Sequence, residues 1–168
     1  VIVGGFDNKL YSLNADNGQF RWSFDQATDR YVAGALATEK GIYAPSSDGN
    51  LYALDLNGQL LWTFETEEAI WGTPTSNTAC DCIYVASMDH YIYAIDPQSG
   101  KQIWKTEDLG GQLVAQPALS ASGVLYVGAF GSRTDKPERS SRLVAVDSTT
   151  GQILWSKPTR GWVWATPL

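Results

Sequence analysis

The sequence predicts an all-β chain, a β-propeller of four-stranded antiparallel blades, on three observations. First, one string recurs along the 168 residues: SLNADNGQFRW ends at Trp22, ALDLNGQLLW at Trp62, AIDPQSGKQIW at Trp104 and AVDSTTGQILW at Trp155. These tryptophans lie 40, 42 and 51 residues apart, close to the period of propeller blades. Second, the segments between them alternate apolar and polar residues and are rich in β-branched and aromatic side chains, the period-two signature of strands. Third, Gly, Asn and Asp punctuate the runs at the intervals that hairpins need.

Each unit is read in the same order. An alternating run comes first (VIVGG from Val1, IYAPS from Ile42, IYVAS from Ile83, LYVGA from Leu125). A turn follows at Asp7-Asn8, Asp48-Gly49 and Asp89-His90, then a second run: KLYSLN, NLYALD, YIYAID and RLVAVD. A turn at Gly18, Gly58, Gly100 or Gly151 leads into the strand that carries the tryptophan. A fourth run, YVAGAL from Tyr31, IWGTPT from Ile70, LVAQPA from Leu113 and VWATPL from Val163, closes each unit. The expected units are 1–29, 30–69, 70–112 and 113–160, with 161–168 opening a further or ring-closing blade. Either WVWATPL pairs with VIVGG and closes a ring of four, or the chain is part of a seven- or eight-bladed propeller. In the second case its open edges favour association, and two copies would form a homodimer.

The glycines supply a backbone conformation that other residues resist. Asp55, Asp96 and Asp147 are placed to accept backbone N–H groups across the same turns. Trp22, Trp62, Trp104 and Trp155 each offer a flat face to the next blade and an indole N–H in need of one acceptor. All copies require these residues equally, so they read as blade-docking structure rather than chemistry.

Composition excludes several functions. A net charge of −6 provides no general basic face for nucleic acid. No run approaches the ~20 apolar residues of a membrane helix. The chain opens on Val1 rather than Met, which predicts an upstream segment. Cys80 and Cys82 form a C-D-C pair at a loop-to-strand junction, too few ligands for structural zinc, and either two thiols or a local bridge. No metal site and no catalytic set is read.

The string A-x-D-x-x-x-G-x-x-x-W, complete at Ala94–Trp104 and Ala145–Trp155, resembles the tryptophan-docking motif of pyrroloquinoline-quinone-type (PQQ-like) propeller repeats. It is one residue short at Ala53–Trp62 and carries Ser12 and Asn14 in the first copy. Quinoprotein dehydrogenases and the outer-membrane β-barrel assembly lipoprotein share this repeat. The resemblance implies a bacterial protein that is periplasmic, secreted or envelope-anchored, and propellers usually larger than four blades. In the dehydrogenases a quinone sits on the axis between a Trp and a disulfide of adjacent cysteines, beside calcium or a lanthanide. Here Asp81 separates the cysteines, so that pattern is departed from.

Two departures from repeat symmetry supply candidate sites. The fourth unit carries about nine extra residues between Val127 and Leu143, with Arg133, Lys136, Arg139 and Arg142 forming a basic partner-binding loop. Trp71 and Trp164 hold matching places in the fourth run, with Trp162, Arg160, Arg30 and Tyr31 near them; if that run is innermost, they crowd one mouth of the channel. The function expected is a non-enzymatic scaffold that binds a protein or small ligand there and needs no cofactor. The alternatives are part of a PQQ- and calcium-dependent dehydrogenase, or a ligand-sensing domain of a larger receptor.

Overall fold

The computed structural model describes residues 1–131, 141–161 and 163–167. Among them, fifteen strands form four antiparallel sheets, each strand pairing with its neighbour in sequence. Sheet I contains β1 (Ile2–Gly4), β2 (Leu10–Leu13) and β3 (Phe20–Phe24). Sheet II runs β4 (Leu36–Thr38), β5 (Gly41–Pro45), β6 (Asn50–Leu54) and β7 (Leu60–Glu65). Sheet III runs β8 (Thr75–Asn77), β9 (Cys82–Ala86), β10 (Ile92–Ile95) and β11 (Gln102–Lys105). Sheet IV runs β12 (Ala118–Leu119), β13 (Val124–Ala129), β14 (Arg142–Asp147) and β15 (Ile153–Pro158).

The innermost strands begin later than alternation suggests. Tyr31–Ala35, Ile70–Pro74 and Leu113–Pro117 run as irregular chain, and pairing starts at Leu36, Thr75 and Ala118. Proline has no N–H to give a ladder, so Pro74 and Pro117 sit just before the paired residues. The corresponding segment 163–167 is likewise unpaired, and β1 pairs only with β2 among the described residues. Among the described residues sheet I therefore has three strands, and 163–167 adds no fourth strand to it.

The recurring string acquires its meaning from register. Opposite each tryptophan lies the small residue that opens the motif: Ser12 faces Trp22, Ala53 faces Trp62, Ala94 faces Trp104 and Ala145 faces Trp155. The ladder slips by one residue immediately afterwards in all four sheets, a bulge that adds local twist. Asp55 accepts the N–H groups of Asn57 and Gln59, both at 2.8 Å. Asp96 likewise holds Gln98 and Ser99, and Asp147 holds Thr149 and Thr150.

Sheet meets sheet through three apolar layers. Leu10, Phe24 and Tyr31 pack on Ile42, Ala44 and Leu54 between sheets I and II. Tyr43, Leu51 and Ile70 pack on Ile83, Val85 and Ile95 between II and III. Tyr84, Ile92 and Leu113 pack on Leu125, Val127 and Val146 between III and IV. Trp22, Trp62 and Trp104 each pack against one of these layers. Trp22 donates its indole N–H to the Leu56 carbonyl at 3.2 Å, and Trp62 donates to Pro97 at 3.1 Å. A tyrosine joins it: Tyr43 also donates to Pro97, and Tyr84 donates to Ser148 at 2.8 Å.

Candidate functional site

The β1–β2, β5–β6 and β9–β10 turns open on one end of the molecule. Phe6, Ser47 and Met88 in them, and Phe130 just past β13, are equivalent by register. The segment entering the next sheet crosses each turn and is tied to it by main-chain bonds, Tyr31 N–H to Gly5 O, Ile70 to Ser46 and Leu113 to Ser87. The tie buries one side chain and turns the next outward. Tyr31, Ile70 and Leu113 are the buried set, and Val32, Trp71, Val114 and Trp164 face the rim.

These segments lie side by side around the inner edge. A Cβ on Gly72 would stand 2.5 Å from the Ala115 carbonyl oxygen, and Gln116 Nε2 donates to Thr75 Oγ1 at 3.2 Å. The rim they make is aromatic and open. Phe6 is 74% exposed and Trp164 56%. The Arg30 guanidinium stands 5.5 Å over the Phe6 ring, and Trp164 meets Phe130 edge-on at 5.9 Å. Trp71 is half-buried and donates its N–H to Ser47 Oγ at 3.1 Å.

Not every residue expected here reaches the rim. Tyr31 is 2% exposed and belongs to the layer between sheets I and II; burial pushes its phenol well above the usual range. Its position matches Ile70 and Leu113, which is why it turns inward. Arg160 is exposed after β15. Trp162, Arg133, Lys136 and Arg139 lie outside the described residues. Arg142 begins β14 opposite Ala129 and is half-buried, a strand residue at the base of that loop.

The opposite end holds a feature that sequence reasoning passed over, a cleft of about 270 Å³ lined by Thr38, Lys40, Tyr43, Asn77, Cys82 and Pro97. Cys80 and Cys82 form a disulfide beside it, and the Lys40 ammonium pairs with Asp81 between them. The disulfide thus sits in the β8–β9 turn, at the end away from Trp71 and Trp164. Among the described residues no three His, Cys, Asp or Glu side chains converge as a metal-binding group.

The curated proteins to which the chain is similar include dehydrogenases and outer membrane assembly factors. The chain is 26% identical to the quinoprotein ethanol dehydrogenase of Pseudomonas aeruginosa across 89% of this chain and 27% of that one. It is 28% identical to the outer membrane protein assembly factor BamB of Salmonella typhimurium across 76% of this chain and 34% of that one. The chain therefore spans about a third or less of these relatives. Solved structures share the propeller fold: BamB from Moraxella catarrhalis superposes with a TM-score of 0.80 and 19% identity over 98% of this chain and 50% of its own. The quinohemoprotein alcohol dehydrogenase of Comamonas testosteroni gives 0.77 and 18% over 94% and 33%. A family model described as outer membrane protein assembly factor BamB matches residues 1–107 and again 88–168, and the chain belongs to that family of PQQ-like β-propeller repeats.

Proposed function

We propose that the chain is a non-enzymatic propeller scaffold of the bacterial envelope that holds a protein partner at its aromatic rim. The observation that carries this reading is the cluster of Phe6, Arg30, Val32, Trp71 and Trp164 at one end of the molecule, with Phe6, Val32 and Trp164 exposed and Trp71 half-buried beside them. Aromatic and arginine side chains on a rigid frame give large contact area at low entropic cost, as in binding hot spots. The relatives named as outer membrane protein assembly factors support a protein partner and an envelope location. The test is capture of envelope proteins on immobilised chain, compared with Phe6→Ser/Trp164→Ser and with Lys40→Ser at the far end. A partner lost with the rim variant and kept by the far-end variant supports the reading; one indifferent to the rim refutes it.

A part of a quinone-dependent dehydrogenase is the second reading, supported by the dehydrogenase relatives. The residues present fit it poorly. Asp81 separates the two cysteines, their disulfide lies at the end away from Trp71, and among the described residues no metal-binding group of three His, Cys, Asp or Glu accompanies either. A tight ligand at a hundredfold excess over its Kd adds about 2.7 kcal/mol of stability. Raised thermal stability with quinone plus calcium, absent with calcium alone, would reinstate the enzyme.

A further inference from the structure

The turn that joins β8 to β9 departs from its equivalents. In sheet II Thr38 pairs with Gly41 around residues 39–40, and in sheet IV Ser120 bonds Val124 around residues 121–123. In sheet III Asn77 pairs with Cys82 around the longer turn 78–81, and this turn alone carries a disulfide, Cys80 to Cys82. A fold made of repeats does not need a bond that one copy alone possesses. Nor is the bond much of a staple: a disulfide restrains the unfolded chain more the longer the loop it closes, and this one encloses only Asp81. Asp81 stands at φ 54°, a left-handed backbone that is costly for a residue with a side chain; sheet IV has Gly123 at the equivalent place.

The two sulfurs differ in access. Cys80 is exposed, whereas Cys82 is 5% exposed and packs in the apolar layer between sheets III and IV. An incoming thiolate therefore reaches Cys80, and Cys82 is the sulfur that leaves. The Lys40 ammonium pairs with Asp81 and offsets the carboxylate that would otherwise repel an arriving or departing thiolate. A reduced Cys80 finds partners in place: its Sγ lies 3.2 Å from Tyr84 Oη and 3.8 Å from the Asn77 carbonyl. Tyr84 spends its own proton on Ser148, at 2.8 Å, so its oxygen is left to accept. Asp81 and Cys82 also belong to the wall of the cleft described above, whose Tyr43, Ile83 and Pro97 suit an apolar side chain next to an arriving cysteine.

We propose that the Cys80–Cys82 disulfide is a thiol–disulfide exchange site that takes two electrons from a peptide dithiol. The first peptide thiolate attacks Cys80 Sγ: a bond forms between peptide sulfur and Cys80, the Cys80–Cys82 bond breaks, and Cys82 leaves as a thiolate that takes up the proton the peptide gave up. The second peptide thiolate attacks the peptide sulfur of that mixed disulfide, and Cys80 leaves and is protonated in turn. The peptide ends oxidised as a disulfide and the chain reduced as a dithiol, with no other oxidant consumed. Oxidised glutathione restores the chain by the same steps run backward. The site lies at the end away from the aromatic rim, so either proposal can fail without the other.

The test mixes the intact chain, free of oxygen, with an excess of a short synthetic peptide whose two cysteines flank an aromatic residue. Acid quenching, alkylation and mass measurement read both products. One chain dithiol is expected for each peptide disulfide formed. The reduced chain should keep its circular dichroism spectrum, with a melting temperature lowered by no more than about 6 °C. With the oxidised peptide, Cys82→Ser should trap a mixed disulfide at Cys80. Cys80→Ser should be labelled at Cys82 at least about tenfold more slowly, because that thiol is buried. A disulfide that the peptide reduces only once urea has unfolded the chain overturns the proposal. So does loss of the native spectrum on reduction, which makes the bond a staple, and so do serine variants labelled at equal rates.

Discussion

Replacing Gly100 by Ala should cost more than replacing Gly123 by Ala, and the excess measures how tightly one sheet grips the next. Both glycines have left-handed backbones, with φ of 69° and 79°. Any other residue pays roughly 1–2 kcal/mol for that conformation. They differ in what a new methyl meets. At Gly123 the nearest atom is Ser148 Oγ at 3.4 Å, an ordinary van der Waals contact. At Gly100 it is the Trp62 ring at 2.6 Å. That ring cannot retreat, because its N–H is bound to the Pro97 carbonyl at 3.1 Å and its other side lies 5.8 Å from Tyr43. Overpacking of this kind costs about 1–3 kcal/mol. Gly123→Ala should therefore lose roughly 1–2 kcal/mol and Gly100→Ala roughly 2–5 kcal/mol. Urea unfolding with an unchanged m-value reads both. In a Trp62→Ala background the cost of Gly100→Ala should fall to that of Gly123→Ala, the signature of direct coupling. Equal losses in the wild-type background would refute that contact and leave the glycine a purely conformational choice.

Trp104→Ala should destabilise by about 3 kcal/mol, the low end for a large aromatic because its outer edge is solvated, read by the same urea titration. Trp164→Ala, at 56% exposure on the rim, should stay within about 0.5 kcal/mol by the same assay. Stability should fall in acid. Burial alone would raise the Asp48 carboxyl, but the N–H groups of Thr28 and Asn50 and the Tyr52 hydroxyl outweigh it and hold the pKa below the usual range. Asp96, held down by Ser99, behaves alike. A carboxyl depressed in the folded state binds its proton more readily unfolded, so its contribution is whole above the unfolded pKa of about 3.9 and is lost as pH falls through the lower folded value. Melting temperature against pH should drop below about pH 4, and Asp48→Asn should flatten that slope.

The propeller was legible because its signals are local and repeated. A tryptophan every 40 to 50 residues marked the outer strands, and alternation located the two strands before each. Strand starts were less legible. YVAGAL, IWGTPT and LVAQPA alternate like strands, yet pairing waits until Leu36, Thr75 and Ala118. Alternation reports which side chains turn inward, and the entering segments do bury alternate residues; it says nothing about which N–H groups find a ladder. Pro74 and Pro117 held that information for two of the three segments, and Ala35 stands in their place in the first. The facing of Ala94 by Trp104 is a matter of cross-strand register, which no single string displays, although a small residue in every copy was its trace.

The rim teaches the converse lesson. Aligning the units placed Trp71 and Trp164 together, but Tyr31 was grouped with them by proximity in sequence, when its equivalents Ile70 and Leu113 are apolar in the way a core position demands. Phe6, Met88 and Phe130 went unnoticed because they sit in turns or just past a strand, where alternation stops; only their shared register reveals them as one row. What is constant across the copies lies between the sheets, where each joint must satisfy the same indole, glycine and carbonyl. What varies across them, Arg30 against Ala69 and Gln112, or Val32 against Trp71 and Val114, lies where no joint constrains it. A fold made by repetition can hold a partner specifically only through such unequal positions, since a symmetric rim would offer every blade's contact equally. Trp71 and Trp164 are therefore the side chains on which recognition by this chain should depend.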